Sequence, residues 1–145
     1  MLTALIEDVA GRLRSAIDAI IEDWLVDEVD VGRLFRALAN PYRKGYAELA
    51  VGLHTAGWRE RGEPVFGKVA NVLHEARLAQ TKGGGAPDIV DTQLAVAAFH
   101  QAIALDSLYG EAFRRSAGAK ASTAKGSEQQ LERWIGTIQS RLDLR

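Results

Sequence analysis

Cysteine is absent from this sequence, and none of its apolar runs is long enough to cross a membrane. Without cysteine the chain can form neither disulfides nor thiolate metal sites, which favours an intracellular location. The longest unbroken apolar run, residues 94–99, spans six residues, whereas a transmembrane helix needs about 20. The N-terminus carries Glu7 and Asp8 where a secretory signal would need basic residues. We therefore expect a soluble cytoplasmic protein that makes no membrane contact.

Net charge is also scarce, because 18 basic residues nearly balance 19 acidic ones. A net charge of −1 argues against direct nucleic-acid binding by this segment, which would normally show a basic face. The charge is uneven, since residues 1–30 hold eight acidic residues and two arginines, a net charge of −6. With 145 residues and 47% hydrophobic residues, the chain is expected to be a single globular domain, residues 1–145.

Strand patterns are missing as well, because no segment alternates apolar and polar residues over strand length. The periodicity predicts an all-α fold of about six helices. A first helix is expected over residues 2–25, and a second from the N-cap Asp30 to Asn40 and Pro41. Further helices are expected over residues 42–58, 65–81 and 92–113, the last of them with Asp91 as its N-cap. A Ser127-x-x-Gln130 capping box predicts the start of the last helix, after a flexible connector over residues 114–126.

The predicted helix over residues 92–113 has almost no polar side. Its only charged residues are Asp106 and Glu111, and its large apolar residues point in several directions. A helix that covers one side of a domain needs only one apolar stripe. We therefore expect this helix to pack on its own core and on a partner at the same time. Asp106 could bond across such an interface, face a pocket or lie in solvent.

The order of these pieces resembles the C-terminal regulatory domain of TetR-type transcriptional repressors. Three segments carry the resemblance: MLTALIEDVAGRLRSAIDAII, LFRALANPYR and PDIVDTQLAVAAFHQAIALDSLYGEAF. It implies a ligand cavity between the first helix and the middle ones, and a four-helix dimer interface formed by the last two helices of two chains. Members of that family begin with a helix-turn-helix DNA-binding head, which this chain lacks, so we expect the chain alone not to bind DNA.

The same resemblance places the homodimer interface on both of the last two helices. Small residues let helices approach closely, and a two-fold interface is self-complementary. The expected interface residues are Ala98, Ala102, Leu105, Tyr109, Leu131, Trp134, Ile135 and Ile138.

A ligand cavity should be mainly apolar with a few polar groups, and the candidates are chosen on that basis. They are Phe35, His54, Trp58, Phe66, Phe99, His100 and Ile103. The expected effector is a small apolar or aromatic molecule.

No spacing nominates a nucleophile with its base, so we expect no enzyme activity, no cofactor and no metal. The His74-Glu75 pair begins a zinc motif but has Leu78 at the second histidine position, so the motif fails. Two alternatives remain open. The three histidines and the chain length also suit a helical haem or metal protein, and the apolar fifth helix also suits a scaffold that binds another protein.

Overall fold

The computed structural model describes residues 2–120 and 123–144. They form no strand and five helical stretches, two of which consist of two helices joined by a short turn. The predicted all-α class is therefore confirmed. The helices are α1 (Leu2–Leu25), α2 (Val31–Pro41), α3 (Ala47–Thr55), α4 (Gly67–Gln80), α5 (Ile89–Leu105), α6 (Glu111–Ser116) and α7 (Thr123–Arg141). The turns Tyr42–Tyr46 and Asp106–Gly110 join α2 to α3 and α5 to α6. Within the described ranges, no helix combines the length and apolar character that a membrane span requires.

The first two helices follow the sequence pattern closely. Helix α1 has the predicted bounds, and Asp30 is the N-cap of α2, where its Oδ1 accepts a hydrogen bond from the Arg33 amide at 3.0 Å. Trp24 closes the turn between the helices, because its buried indole donates to the Asp30 carbonyl at 2.8 Å. Arg33 donates in return to the Trp24 carbonyl at 2.8 Å. Local side chains thus determine the α1–α2 corner.

Helix α2 ends at Pro41, as predicted, but the chain keeps its helical course beyond that residue. The turn Tyr42–Tyr46 continues that course and breaks it at Lys44 and at Gly45, where φ is 118°. That value lies in the left-handed region, which glycine adopts without steric cost. Because the break comes after Tyr42, the Tyr42 side chain remains on the helical course and is buried in the core.

Helix α2 lies at the centre of the core. Leu34, Phe35 and Leu38 are almost completely buried between α1, α5 and α7, and the ring of Phe35 stacks on Phe99 of α5 with centroids 6.0 Å apart. Helices α4 and α7 complete the core. Leu142, which follows directly after α7, is buried with them. The buried apolar residues of the two helices are Val69, Ala70, Leu73, Leu131, Ile135 and Ile138.

Helix α7 begins earlier than the capping box predicts. The helix starts at Thr123, so Ser127 and Gln130 lie inside it and the predicted N-cap is wrong. Both side chains bind other helices instead: Ser127 contacts Asp106, and Gln130 accepts from Arg114 at 2.9 Å. The predicted connector over residues 114–126 is also shorter, because residues 114–116 complete α6 and residues 123–126 open α7. Residues 121 and 122 lie outside the described part of the chain.

The predicted fifth helix begins earlier and is interrupted. Asp88, rather than Asp91, is its N-cap, accepting from the Val90 amide at 3.0 Å. Asp91 is free for tertiary contacts and forms ion pairs with Arg77 of α4 at 3.2 Å and Arg141 of α7 at 2.5 Å. The helix is then interrupted by a π-type turn at Asp106–Gly110.

Candidate functional site

A half-open cavity of about 1020 Å³ lies between α1, α3, α4 and α5. Small-molecule sites typically enclose roughly 300–1,000 Å³ with mainly apolar walls and a few polar groups. The apolar walls consist of Ala10, Leu13, Ile17, Ala50, Trp58, Pro64, Val65, Phe66, Gly67, Ala70, Val96 and Ala97. The polar groups are Arg14, Tyr42, Glu60, Glu63, Lys68, Asn71, Gln93 and His100. The cavity is thus at the upper end of that size range, and its wall combines a larger apolar part with these polar groups.

A hydrogen-bonded pair of rings forms part of the cavity wall. The hydroxyl of Tyr42 lies 2.7 Å from Nε2 of His100, and the Phe66 ring lies 4.0 Å from the His100 ring. Burial raises the pKa of Tyr42 to about 12, and Glu60 adds a smaller Coulombic contribution in the same direction. Burial also lowers the pKa of His100 from 6.5 to about 4. Both side chains are therefore uncharged at neutral pH.

Arg14 of α1 holds the segment between α3 and α4 across the rim of the cavity. Its guanidinium donates to the Arg61 carbonyl at 3.2 Å and to the Glu63 carbonyl at 2.5 Å, and it pairs with the Glu60 carboxylate at 3.3 Å. Trp58 adds a longer contact, from its indole N–H to Glu7 at 3.4 Å. This segment has no regular secondary structure of its own over residues 58–63, so the Arg14 contacts determine its position.

The other cation of the cavity lining is paired as well. Lys68, at the start of α4, forms a hydrogen-bonded ion pair with Glu22 of α1. The hydrogen bond to Glu22 is the main cause of the raised pKa of Lys68. Arg14 thus attaches the segment between α3 and α4 to α1, and Lys68 attaches α4 itself to α1. Both cations already have a carboxylate partner.

The structure brings together three of the seven residues predicted to bind a ligand. Trp58, Phe66 and His100 line the cavity. The others lie elsewhere: His54 is exposed on α3, and the core holds Phe35, Phe99 and Ile103. Tyr42 and Arg14 were missed. Their roles depend on partners 58 residues and up to 49 residues away along the chain, which no local pattern reveals.

The three histidines lie apart from one another. His54 is exposed, His74 lies 3.3 Å from the Thr92 hydroxyl through Nδ1, and His100 binds Tyr42. Across residues 2–120 and 123–144, no three histidine, aspartate or glutamate side chains are grouped so that they could hold a metal ion together.

Helices α5 and α6 expose a row of apolar side chains on the side away from the core, which we term the outer face. Leu94 is 65% exposed and Phe113 is 71% exposed, which is unusual for large apolar side chains. The outer face consists of Val90, Leu94, Ala98, Leu105, Tyr109 and Phe113. At 1.5 Å per residue it is about 35 Å long.

The predicted dimer residues divide between this face and the core. Ala98, Leu105 and Tyr109 are exposed, and Ala102 is half-buried. On α7, in contrast, the apolar stripe is used within the chain itself: Trp134 packs against the core, and Leu131, Ile135 and Ile138 are buried in it. The buried three have no surface left for a partner. The exposed side of α7 is polar and carries several charged residues, among them Glu128, Glu132, Arg133 and Arg141.

A buried ion pair holds the π-type turn in place. Asp106 and Arg114 are 8% and 12% exposed, and Arg114 donates to Asp106 Oδ1 at 2.6 Å. Residues eight apart lie about 80° apart around a regular α-helix. The additional residue of the π-type turn brings both side chains to the side that faces α7, and it aligns Leu105 with Phe113 in the same way. Asp106 therefore bonds within the chain. The solvent-exposed position that the sequence had left open for this side chain is not the one it adopts.

Comparisons of the chain with protein-family models, with curated proteins and with solved structures give no match.

Proposed function

We propose that this chain is a small-molecule-binding domain that forms a homodimer through the outer face of α5 and α6. One observation carries the proposal: α5 borders the cavity on one side, through Val96 and His100, and exposes Leu94 and Leu105 on the other. Ligand and partner would therefore contact the same helix from opposite sides. Such an arrangement suits a sensor, because a shift of α5 on ligand binding is transmitted directly to the dimer interface.

A second copy of the chain is the partner that the outer face fits best. A two-fold axis brings the face onto itself, and the face carries no charged side chain that such contact would desolvate. Homodimer interfaces are more apolar than other protein surfaces and commonly bury 2,000 Å² or more. The outer face is about 35 Å long on each chain, so a two-fold pair could bury its exposed apolar side chains along that whole length.

The biological role that we propose is ligand sensing in the control of transcription. The sequence resembles the regulatory domain of TetR-type repressors, and that resemblance implies a cavity between the first helix and the middle ones. Regulators of this type join such a domain to a DNA-binding head. A plain protein-binding scaffold would need the outer face but not the cavity, and is therefore the less economical explanation.

Analytical ultracentrifugation tests the dimer. The wild-type chain of 15.8 kDa should sediment as a dimer at micromolar concentration. The Leu94→Glu variant should be a folded monomer, because the two-fold axis places two buried carboxylates in one interface. Leu5→Glu, at a similarly exposed leucine of α1, is the matched control and should remain dimeric. A monomeric wild-type chain, or a Leu94→Glu dimer, would contradict the proposed assembly.

Fluorescence of Nile red, an uncharged apolar dye, tests the cavity. Wild-type protein and Leu94→Glu should both bind the dye, because the cavity lies within one chain. Ala50 lines the cavity on α3 and is half-buried, so Ala50→Trp should fill part of the space and abolish binding. Equal dye binding by the Ala50→Trp variant would show that the dye, and by extension an apolar ligand, binds elsewhere.

A further inference from the structure

The polar atoms at the His100 end of the cavity specify what kind of ligand group can bind there. His100 is held by one hydrogen bond, between its Nε2 and the Tyr42 hydroxyl at 2.7 Å. A neutral imidazole has one nitrogen that donates and one that accepts, so the direction of this bond determines the role of the other nitrogen.

The Tyr42 hydroxyl is the donor of this bond. In the described part of the chain, His100 Nε2 is the only hydrogen-bond partner that the structure gives to this hydroxyl. A phenol O–H is much more acidic than the N–H of a neutral imidazole, so the favoured arrangement is O–H to N. Nε2 therefore accepts, and the ring proton of the neutral His100 resides on Nδ1.

The Nδ1–H group is accessible from the cavity. The structure gives it no hydrogen-bond partner among residues 2–120 and 123–144. Yet within those residues every fully buried side-chain nitrogen and oxygen has a partner. Nδ1 is therefore not fully buried, and His100 is a lining residue of the cavity. A donor with unused capacity thus faces the space where a ligand would lie.

Charge in the ligand is disfavoured by the rest of the lining. The cations among the lining residues, Arg14 and Lys68, already pair with Glu60 and Glu22. Glu63, Asn71 and Gln93 also line the cavity but are exposed to solvent, and most of the remaining wall is apolar. An ionic group moved into such surroundings without a partner loses its hydration at a large cost in free energy. An uncharged ligand avoids that cost.

We infer that the cavity takes an uncharged apolar or aromatic molecule carrying a carbonyl or similar hydrogen-bond acceptor, and that His100 Nδ1–H donates to this acceptor. The inference rests on the proposed ligand-binding function and specifies its chemistry. Tyr42 is a positioning residue, because its hydroxyl holds the tautomer and orientation of His100. Phe66, whose ring lies 4.0 Å from the His100 ring and is tilted by 33° relative to it, provides the apolar surface next to the acceptor.

Two uncharged probes of nearly equal shape test the inference. Benzophenone carries a carbonyl where diphenylmethane has a methylene group. One neutral hydrogen bond contributes about 0.5–1.5 kcal/mol, so calorimetric titration of the wild-type protein should show benzophenone binding roughly 2- to 10-fold more tightly. His100→Leu should bind both probes with equal affinity. His54→Leu, at an exposed histidine outside the cavity, is the control and should keep the preference.

The outcomes separate the two proposals. Equal binding of both probes by the wild-type protein, or an unchanged preference in His100→Leu, overturns the role of His100 but leaves the cavity as a binding site. Binding of neither probe overturns the proposed function and this inference together. Nitrogen-15 NMR of the free wild-type protein supplies a test that does not depend on any variant's folding. It should show the ring proton on Nδ1 of His100, and a proton on Nε2 would refute the assignment.

Discussion

Replacing Asp106 with asparagine should destabilise the fold far more than its single lost charge suggests. The substitution keeps the shape of the side chain but leaves the guanidinium of Arg114, which is 12% exposed, without its carboxylate. It also replaces one of the two carboxylate oxygens by an amide N–H₂ group, so that either Arg114 or Ser127, both of which donate to Asp106 in the native protein, meets a donor instead of an acceptor. Removing one member of a buried ion pair typically costs about 3–5 kcal/mol, and we expect about 3 here because Gln130 still accepts from Arg114.

Chemical and thermal denaturation followed by circular dichroism measure this effect. In a domain of this size, about 3 kcal/mol corresponds to a fall in Tm of roughly 10 °C. Glu111→Gln is the matched control, because Glu111 forms an exposed i,i+4 pair with Arg115 within α6. Such surface pairs contribute about 0–1 kcal/mol. All proteins should be compared at one concentration, since dimerisation would add to the apparent stability.

The double variant Asp106→Asn with Arg114→Leu tests the mechanism. Removing the unpaired cation should recover more than half of the lost stability, because the cost comes from a buried charge without a partner. If Asp106→Asn is no less stable than Glu111→Gln, the ion pair does not hold the π-type turn and the reasoning fails. If the double variant is less stable than Asp106→Asn alone, the loss has another origin.

Two further predictions concern the cavity. Unfolded His100 takes up a proton near pH 6.5, but the folded protein does so only near pH 4, so the stability that neutral His100 contributes is complete above pH 6.5 and is lost as the pH falls towards 4. Between pH 7 and pH 5, the free energy of unfolding measured with urea should fall by about 2 kcal/mol because of His100. The free energy of unfolding of His100→Asn should fall by about 2 kcal/mol less over the same interval. An identical fall in both proteins would contradict the burial of a neutral histidine. Arg14→Met should free the segment between α3 and α4, so that hydrogen exchange over residues 58–63 becomes faster while α2 remains protected; unchanged exchange there would show that the Arg14 contacts do not hold the segment.

Much of the secondary structure could be predicted because its causes are local. Helix α1 follows from an apolar stripe that repeats at helical spacing over residues 2–25. The start of α2 follows from an Asp30 side chain that can reach an amide three residues later. The break at Gly45 and the early start of α7 could not be predicted in this way. They depend on the burial of Tyr42 and on the contacts of Ser127 and Gln130 with other helices.

The sequence indicated the kind of site, an apolar cavity, but identified only some of the residues that line it. Aromatic and histidine residues on apolar helices indicated a cavity, and three of the seven chosen residues line it. Whether such a side chain faces the cavity or the core depends on the rotation and crossing of neighbouring helices, which the sequence pattern leaves open. Phe35 and Phe99 face each other in the core for that reason, whereas Phe66 faces His100.

By itself the sequence determined the all-α class, the bounds of α1 and an apolar surplus on the fifth helix, since each depends on neighbours within a few residues. Only the tertiary structure decided that the apolar stripe of α7 lies in the core and that Asp106 pairs with Arg114. It also decided that Tyr42 and His100 meet at a cavity. These outcomes depend on contacts between helices and on the π-type turn, which rotates the side chains of α6 about the helix axis relative to those of α5.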